Sequence, residues 1–207
     1  MRRRHYVRER FWQFDKDILK LAAPVYLDGY WQTERYFSDV DGLIRQQFRL
    51  RKPIGERRRE LLKSIGRAGS SSVSLHVRRG DYVELAQSGE LFRLCSLEWY
   101  QRAMAMIAEI VPAPQFFVFS DDPTWARANL PENWPRVFVE PGDDGKDFED
   151  LHLMANCRHH IIANSTFSWW GAWLNASRDK KVIAPAVWFA TPTIDQSDII
   201  PSTWISL

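Results

Sequence analysis

The sequence predicts an α/β fold built on a parallel, doubly wound sheet of the Rossmann-like type, for two reasons. From residue 71 onward, short β-rich runs alternate with amphipathic helical segments, which is the pattern of successive βαβ units. In addition, polar and charged residues follow directly after three of the β-rich runs. Ligands bind at the carboxyl ends of the strands in such sheets, so these residues mark the expected functional edge.

The predicted elements follow one another without a repeat or a low-complexity segment. Five runs are predicted as strands: 73–77, 116–120, 137–139, 160–164 and 181–185. Four helical segments separate them: 97–111, 123–130, 148–157 and 166–177. Each crossover between successive strands therefore contains a helix, as is usual in a parallel sheet.

The chain divides at about residue 70 into two regions that differ in composition and in predicted secondary structure. Residues 1–70 are charged and aromatic and are predicted to be mostly helical, with helical stretches at 33–50 and 54–67. Residues 71–207 carry the alternating pattern. We interpret the first region as part of an N-terminal lobe, and the second as a Rossmann-like domain with a C-terminal tail.

Composition and charge exclude several classes of protein. With 28 basic and 26 acidic residues among 207, the formal net charge is +2, so the chain is not a polycation built for nucleic acid. The two cysteines, Cys95 and Cys157, are too few for a disulfide framework and fit a reducing compartment. No run approaches the roughly 18 apolar residues of a membrane span, and no signal peptide is recognisable. We expect a cytoplasmic protein.

Positive charge is concentrated in two short segments. They contain Arg2, Arg3, Arg4, Arg8 and Arg10 at the N-terminus, and Arg51, Lys52, Arg57, Arg58 and Arg59 further along. Such runs usually form solvated helix faces. The alternative is a surface that contacts a partner or the anionic face of the inner membrane, which would make the protein peripheral there. No pattern indicates an oligomeric state.

Two arginines end the first predicted strand of the sheet, in the segment SLHVRRGDY at 74–82. Arginine offers a planar fork that binds phosphate oxygens at two points, and it keeps its charge at physiological pH. Arg78 and Arg79 therefore predict a doubly negative ligand, such as the diphosphate of a nucleotide-sugar. The alternative is a structural ion-pair network with nearby carboxylates such as Asp81 and Asp150.

Two further polar sets follow later strands. Asp121 and Asp122 come after 116–120, where a carboxylate can accept hydrogen bonds from a ribose hydroxyl or from the N–H edge of guanine. After 160–164 come Ser165, Thr166, Phe167 and Ser168. The two hydroxyl residues that begin this set resemble a helix N-cap, and the free N–H groups behind them would form an anion site. Each set can also be an ordinary helix start, but all three sets lie at one edge of the predicted sheet.

Other patterns are weaker candidates. His159 and His160 are neighbours on a predicted strand, so they point to opposite faces and cannot bind one metal ion together. Cys157 has no second cysteine or suitably spaced histidine for a zinc site. The tryptophans of 166–177 favour core packing over sugar stacking, because aromatic side chains bury large areas. We infer no metal site.

Three segments carry a family resemblance: HVRRGDY at 76–82, FVFSDDPTW at 117–125 and DLHLMANCRHHIIANSTFSWWGAWL at 150–174. Together with FDKDIL…YLDGYWQTERYF at 14–37 and IIPSTWISL at 199–207, they resemble the bacterial α-1,2-fucosyltransferases of glycosyltransferase family 11. The resemblance covers nearly the whole chain. It implies a GT-B-like fold, with GDP-β-L-fucose as the donor substrate and no cofactor. L-fucose would pass to the 2-hydroxyl of a galactose-type oligosaccharide acceptor, with inversion and without a metal.

When the family motifs are matched to this sequence residue by residue, Arg78 and Arg79 align with donor-binding arginines. The resemblance gives Asp121 or Asp122 the acidic position after a strand, and it makes 165–168 the turn that contacts phosphate.

The resemblance also implies a glycine-rich segment of the GGLGNQ type near the N-terminus, which does not occur in this sequence. Residues 1–70 are therefore expected to form an incomplete lobe on the acceptor side, and 71–207 the GDP-fucose-binding domain. A catalytically inactive module that binds a GDP-sugar or a glycan is the alternative function.

An inverting transfer needs a base for the acceptor hydroxyl and a stabilised leaving diphosphate. His76 and Asp81 are the local candidates for the base. His76 shares a strand face with Arg78, because side chains alternate along a strand. A buried structural histidine, and a base contributed by the N-terminal lobe, are the alternatives.

Overall fold

The computed structural model describes residues 5–10, 12–80, 83, 93–141, 146–191 and 193–207. Two short strands pair with each other near the N-terminus, β1 (His5–Arg8) and β2 (Val25–Asp28). The remaining described strands form one sheet: β3 (Ser72–Val77), β4 (Gln115–Ser120), β5 (Arg136–Phe138), β6 (His159–Ile161), β7 (Val182–Ala184) and β8 (Ile205–Ser206). Every described strand pair is parallel, so the predicted parallel sheet is confirmed, with β8 as an additional strand.

Helices connect and cover the strands. Those with described bounds are α1 (Asp41–Gln47), α2 (Glu56–Ala68), α3 (Leu97–Ile110), α4 (Pro123–Asn129), α5 (Asp147–Asn156) and α6 (Thr166–Leu174). Single 3-10 turns lie at Ile18–Lys20, Glu34–Tyr36, Ser38–Val40 and Gly69–Ser71. The last four α-helices all lie between strands of the large sheet, as the alternating sequence pattern predicts.

The sequence around α3 and α4 shows why helices begin there. Ser96 Oγ accepts a hydrogen bond from the Trp99 N–H at 3.2 Å and so caps α3. Asp122 does the same for α4 through the Trp125 N–H at 2.9 Å, and Pro123 occupies the first helical position. Each cap comes at the carboxyl end of the sheet, so both helices run back toward the amino end.

The central strand β3 is buried at all six positions because helices cover both of its faces. Leu75 and Val77 belong to a core with α3. The alternate side chain, His76, shares the opposite face with its register partner Phe119, which packs with Phe117 in a second core against α2 and α5. The sheet is therefore doubly wound, and its Rossmann-like α/β class is confirmed.

In region 1–70, for which the sequence predicts mostly helix, the structure has helices and also the parallel pair of β1 and β2, which the sequence does not predict. The predicted helix at 33–50 is two 3-10 turns followed by α1, whereas the predicted helix at 54–67 corresponds closely to α2. The region therefore has both strands and helices.

Aromatic side chains join this region to α6. Trp170 lies between Phe37 and Phe48, with ring centroids 5.3 and 5.2 Å away and nearly parallel planes. The Trp173 Nε1–H donates to Glu34 at 2.9 Å. Trp169 and Trp173 are each only 4% exposed, as the core-packing interpretation predicts. One face of α6 therefore binds the N-terminal region, while its first residue lies at the edge of the sheet.

Both cysteines are buried free thiols, in two different cores. Burial raises the pKa of Cys95 to about 11 and raises the pKa of Cys157 even further. Both side chains act as small apolar groups in the folded chain.

Candidate functional site

The strand order places a crevice between β3 and β6. Along the sheet the order is β5-β4-β3-β6-β7-β8, so the chain winds outward from β3 in one direction and from β6 in the other. At such a switch point the connections leave the two neighbouring strands on opposite sides, and ligands bind outside the carboxyl ends. Arg78 and Arg79 follow β3, and α6 follows β6. Two of the three predicted sets thus meet at this crevice.

Asp121 fixes the turn that carries the two arginines. Its Oδ1 accepts a hydrogen bond from the Arg79 backbone N–H at 2.9 Å, and its Oδ2 lies 3.0 Å from Arg78 Nη1. A Cβ added to Gly80 would lie 2.6 Å from the same Oδ2, so a larger residue at this position would displace the Asp121 carboxylate. The arginines are therefore pre-oriented by a carboxylate from the neighbouring strand β4.

Arg79 is held against α4. Its guanidinium carbon lies 3.9 Å from the centre of the Trp125 ring, and its Nε is 3.6 Å from Asp122 Oδ2. That distance is beyond hydrogen-bond range, and the buried Nε has no hydrogen-bond partner among the described residues. Asp122 itself caps α4. Both arginines therefore form ion pairs, with Asp121 and Asp122 as partners, and these are not the carboxylates that the sequence suggested for a structural network.

The start of α6 is an open helix end. Ser165 is its N-cap, as the sequence predicts, but the Ser165 side chain makes no capping hydrogen bond. Thr166 is exposed, whereas Ser168 is 1% exposed and directs its hydroxyl to the Ala163 and Ser165 carbonyls at 3.4 and 3.3 Å. Backbone N–H groups at the positive end of the helix dipole can bind an anion here. The phosphate-contacting role of 165–168 remains a prediction.

His76 is buried beside this helix start. It is 7% exposed, its ring centroid lies 6.0 Å from that of Phe167, and its Nδ1 has no hydrogen-bond partner among the described residues. Burial, with the nearby Arg78 charge, lowers the pKa of His76 to about 3, so the ring is neutral at physiological pH. The second candidate base, Asp81, lies outside the described residues.

A buried ion pair lies at the start of α2 and α5, on the same side of the sheet. Arg58 is 4% exposed, and its Nη2 is 2.6 Å from Asp150 Oδ1. Desolvation raises the pKa of Asp150 to about 6, although the Arg58 charge acts in the opposite direction. The sequence suggested Asp150 as a partner for the arginines after β3. Its observed partner belongs instead to the first basic turn of α2.

A loop after β2 forms another wall near the start of α6, and its role was not anticipated from the sequence. The Glu9 carboxylate accepts hydrogen bonds from the backbone N–H groups of Tyr30 at 2.6 Å and Trp31 at 3.1 Å. Trp31 has a φ of +50°, in the left-handed region that non-glycine residues rarely adopt. Together with Thr166 this loop lines a cavity of about 70 Å³. The only available sequence signal was the unusual segment YLDGYWQ.

A larger cavity of about 370 Å³ lies between the start of α3 and the end of β7. It is lined in part by Arg93, Trp99 and Arg102, but by none of the predicted strand-end residues. The smaller cavity is the one that shares a residue with α6. Size alone therefore does not identify the functional part of this edge.

Within the described ranges, no group of three or more His, Cys, Asp or Glu side chains is arranged to hold a metal ion. Over the same ranges, no helix has the length and apolar character that crossing a membrane requires.

The site can be compared with known proteins. The family model of glycosyl transferase family 11 matches residues 4–207. The chain therefore belongs to glycosyl transferase family 11. Members of such a family use a nucleotide-sugar donor and a glycan acceptor, and the crevice at the switch point of this Rossmann-like sheet has two arginines and a helix N-terminus beside it.

Individual relatives support the same assignment. The chain is 36% identical over 203 residues to an α-1,2-colitosyltransferase of Escherichia coli, covering 94% of this chain and 67% of that protein. It is 35% identical to the O-antigen biosynthesis glycosyltransferase WbnK of Escherichia coli, over 71% of this chain and 48% of the relative. It is 30% identical to galactoside 2-alpha-L-fucosyltransferase SEC1 of Bos taurus, over 72% of this chain and 42% of the relative. The chain thus spans about two thirds of the first relative and less than half of the other two.

Proposed function

We propose that the chain binds GDP-β-L-fucose in the crevice between β3 and β6, and that it transfers L-fucose to the 2-hydroxyl of a galactose-type acceptor with inversion. The main structural support is the convergence of Arg78, Arg79 and the open start of α6 at the switch point of the sheet. The family supplies the reaction class, and the fucosyltransferase relative suggests the sugar.

The diphosphate would lie between the two positive elements of the crevice. Arg78 is the direct contact in this arrangement, because it lies on the His76 side of the strand and its side chain is 33% exposed. Arg79, at 18% exposure and stacked on Trp125, supports the turn. As the bond to the sugar breaks, negative charge grows on the diphosphate, and a fixed guanidinium and a helix N-terminus stabilise that charge.

The acceptor hydroxyl needs a base, and the candidates remain His76 and Asp81. A histidine with a pKa of about 3 is neutral and weakly basic, so its burial makes it a poor proton acceptor. Its unpaired Nδ1 is better suited to hydrogen bonding with a bound ligand. A base in the N-terminal lobe of a GT-B-like protein is the further alternative.

Colitose transfer is a second candidate, because the relative with 36% identity is an α-1,2-colitosyltransferase. Colitose differs from fucose in lacking one ring hydroxyl. A site that hydrogen-bonds that hydroxyl would discriminate strongly between the two sugars, whereas an apolar wall would accept both.

The proposal is tested by titration calorimetry followed by a transfer assay. GDP should bind more tightly than UDP or GMP, because guanine and both phosphates contribute. Excess EDTA should leave GDP binding unchanged. GDP-fucose and GDP-colitose are then compared as donors with a β-galactoside acceptor.

The outcomes separate the alternatives. GDP binding without transfer from either donor would indicate a catalytically inactive GDP-sugar-binding module. A loss of GDP binding in EDTA would contradict the metal-free proposal. A chain that binds neither GDP nor a GDP-sugar would overturn the proposed function.

A further inference from the structure

The cavity beside α6 combines apolar walls with unsatisfied donors. Its aromatic walls include Tyr30, Phe37 and Trp169, and its lining also includes Trp31, Gln32 and Thr166. Its volume of about 70 Å³ is several times the roughly 10–15 Å³ that one water molecule needs. It can therefore receive the edge of a ring but not a whole nucleotide. Aromatic walls with a few oriented polar groups are typical of small-ligand sites.

Two donors in this wall lack partners. Trp31 Nε1 and Gln32 Nε2 are shielded from solvent, and neither has a hydrogen-bond partner among the described residues. Buried donors without partners are rare, because leaving them unpaired destabilises the fold. Two of them on adjacent residues indicate a missing acceptor, and sugar hydroxyls and ring oxygens are such acceptors.

The loop is held in this conformation by its surroundings. The two hydrogen bonds to Glu9 fix the backbone of Tyr30 and Trp31, although Trp31 has an unfavourable φ of +50°. A Cβ on Gly29 would lie 2.3 Å from the Glu9 Cβ, so the loop closely approaches the residue that follows β1. Strained conformations that the surrounding structure enforces are concentrated at ligand sites.

We infer that this cavity is the subsite for the sugar ring of the nucleotide donor, and that Trp31 and Gln32 turn their N–H groups onto its hydroxyls when it binds. This rests on the proposed function, because the diphosphate has to lie at the start of α6. Thr166 begins that helix and also lines the cavity. The donor sugar is bonded directly to the diphosphate, whereas the acceptor of an inverting transfer attacks from the opposite side of the anomeric carbon. The cavity therefore fits the donor sugar better than the acceptor.

Two variants test the assignment, each removing one donor: Gln32→Leu changes the side-chain volume little, whereas Trp31→Phe also removes one ring, an effect that a second tryptophan-to-phenylalanine variant controls for. This matched control is Trp134→Phe. Trp134 is a partly buried tryptophan next to Phe116, and it precedes the edge strand β5, so it lies at the amino end of the sheet and does not line the cavity. The dissociation constants for GDP and for GDP-β-L-fucose are measured on each folded variant by calorimetry.

We expect Trp31→Phe and Gln32→Leu each to weaken GDP-fucose binding about tenfold, the effect of losing one hydrogen bond in a buried site. GDP binding should be unchanged, because GDP has no sugar beyond the diphosphate. The control should change neither constant. Equal weakening of GDP and GDP-fucose, or no weakening, would overturn the assignment. An increase confined to the acceptor KM would assign the cavity to the acceptor instead.

The indole N–H signal of Trp31 supplies a second readout. Trp31→Phe identifies this signal in a ¹⁵N-correlated NMR spectrum by its disappearance. It should shift on addition of GDP-fucose and stay in place with GDP. If the chain binds no nucleotide, the proposed function fails, and the titration is repeated with methyl β-L-fucopyranoside, which has the anomeric configuration of the donor. A shift of the Trp31 signal by the glycoside would then support the subsite alone, and its absence would overturn both proposals.

Discussion

The two edges of the six-stranded sheet treat buried histidines differently. At the amino edge, His160 is fully buried and both ring nitrogens are bonded. Nδ1 lies 2.7 Å from Ser74 Oγ, and Nε2 lies 2.7 Å from Asn175 Nδ2. At the carboxyl edge, His76 is almost as buried, yet its Nδ1 has no partner among the described residues. Burial is therefore not what distinguishes them.

The same contrast extends to neighbouring groups. At the amino edge His159 donates through Nε2 to the Ser70 carbonyl at 3.0 Å and accepts from the Lys181 N–H at 3.0 Å. Near the carboxyl edge, the Nε atom of Arg79 and the side-chain nitrogens of Trp31 and Gln32 lack partners among the described residues. In the part of the chain that the structure describes, Ser177 Oγ is an unpaired buried atom at the amino edge.

This difference separates two uses of buried polarity. A network whose members satisfy one another stabilises the fold and leaves nothing for a ligand. Groups held in place without partners reduce stability, and a ligand that pairs with them recovers that free energy on binding. Substitution of a paired group at the amino edge should therefore lower stability, and substitution of a ligand-facing group at the carboxyl edge should lower binding, whereas His76, buried without a partner at Nδ1 among the described residues, should make stability depend on pH.

The largest effect is expected for Asn175→Ala. Asn175 Nδ2 donates to the Cys157 carbonyl at 2.7 Å as well as to His160, so the substitution leaves both acceptors buried and unpaired. Each unpaired group costs about 1–3 kcal/mol, so the free energy of unfolding, measured by urea denaturation, should fall by about 2–6 kcal/mol. GDP affinity of the folded fraction should not change. Asn156→Ala is the control, because that exposed side chain bonds only locally, to the His152 backbone carbonyl at 2.8 Å and to its ring at 3.4 Å. Equal losses in both variants would contradict the comparison.

Arg78→Lys and Arg79→Lys are expected to lower GDP affinity and to leave stability unchanged, the opposite of Asn175→Ala. Lysine keeps the charge but loses the bidentate fork, so GDP binding should weaken by about 1–3 kcal/mol, the range for charge-assisted hydrogen bonds. The loss should be larger for Arg78. Arg158→Lys at the amino edge is the control, since its exposed pair with Asp179 should affect neither property. Unchanged GDP affinity in both variants, with intact circular dichroism, would make the turn a structural ion-pair network.

A smaller effect on the unfolding free energy is expected when the pH is lowered. The pKa of His76 is lowered from 6.5 to about 3 in the folded chain. Between pH 6.5 and pH 3, His76 is therefore protonated in the unfolded chain but neutral in the folded chain. The unfolding free energy therefore has no penalty from His76 above pH 6.5, and this penalty grows as the pH falls toward 3. His76 alone should reduce the unfolding free energy by about 2 kcal/mol between pH 6.5 and pH 5.

The control for this pH effect is substitution of individual histidines. His76→Gln should make the acid slope of the unfolding free energy shallower. His152→Gln, at a half-buried position on α5, should leave the His76 contribution in place. Burial also lowers the pKa of His160 well below its usual value, so some acid sensitivity should survive in both variants. An identical slope in wild type and His76→Gln would contradict the burial argument.

The sequence predicts the sheet well because its strands are apolar runs separated by capped helices. It misses β1 and β2, which are four residues each and lie among charged and aromatic residues, and it misses the two-residue β8. Short strands of this kind are defined by their pairing partners and not by their own residues.

At the candidate site, the sequence predicts which residues share an edge but not how they pair. The register of β3 on β4 sets Val77 opposite Ser120, so Arg78 comes beside Asp121. A shift of one residue would exchange these partners, and no local pattern fixes the register of two strands about 40 residues apart. Likewise, Ser165 is recognisable as an N-cap, whereas the direction of its hydroxyl depends on packing.

The two buried thiols also have a practical consequence for labelling. Thiolate is the species that reacts with alkylating reagents, and the raised pKa values keep Cys95 and Cys157 protonated at neutral pH. The two native cysteines of the folded chain should therefore react very slowly with alkylating reagents. A cysteine introduced at exposed Thr166 would carry a fluorescent or spin label alone, beside the crevice. Slow modification of the native pair would in turn measure how often each core opens, so one reagent can report ligand occupancy and unfolding separately.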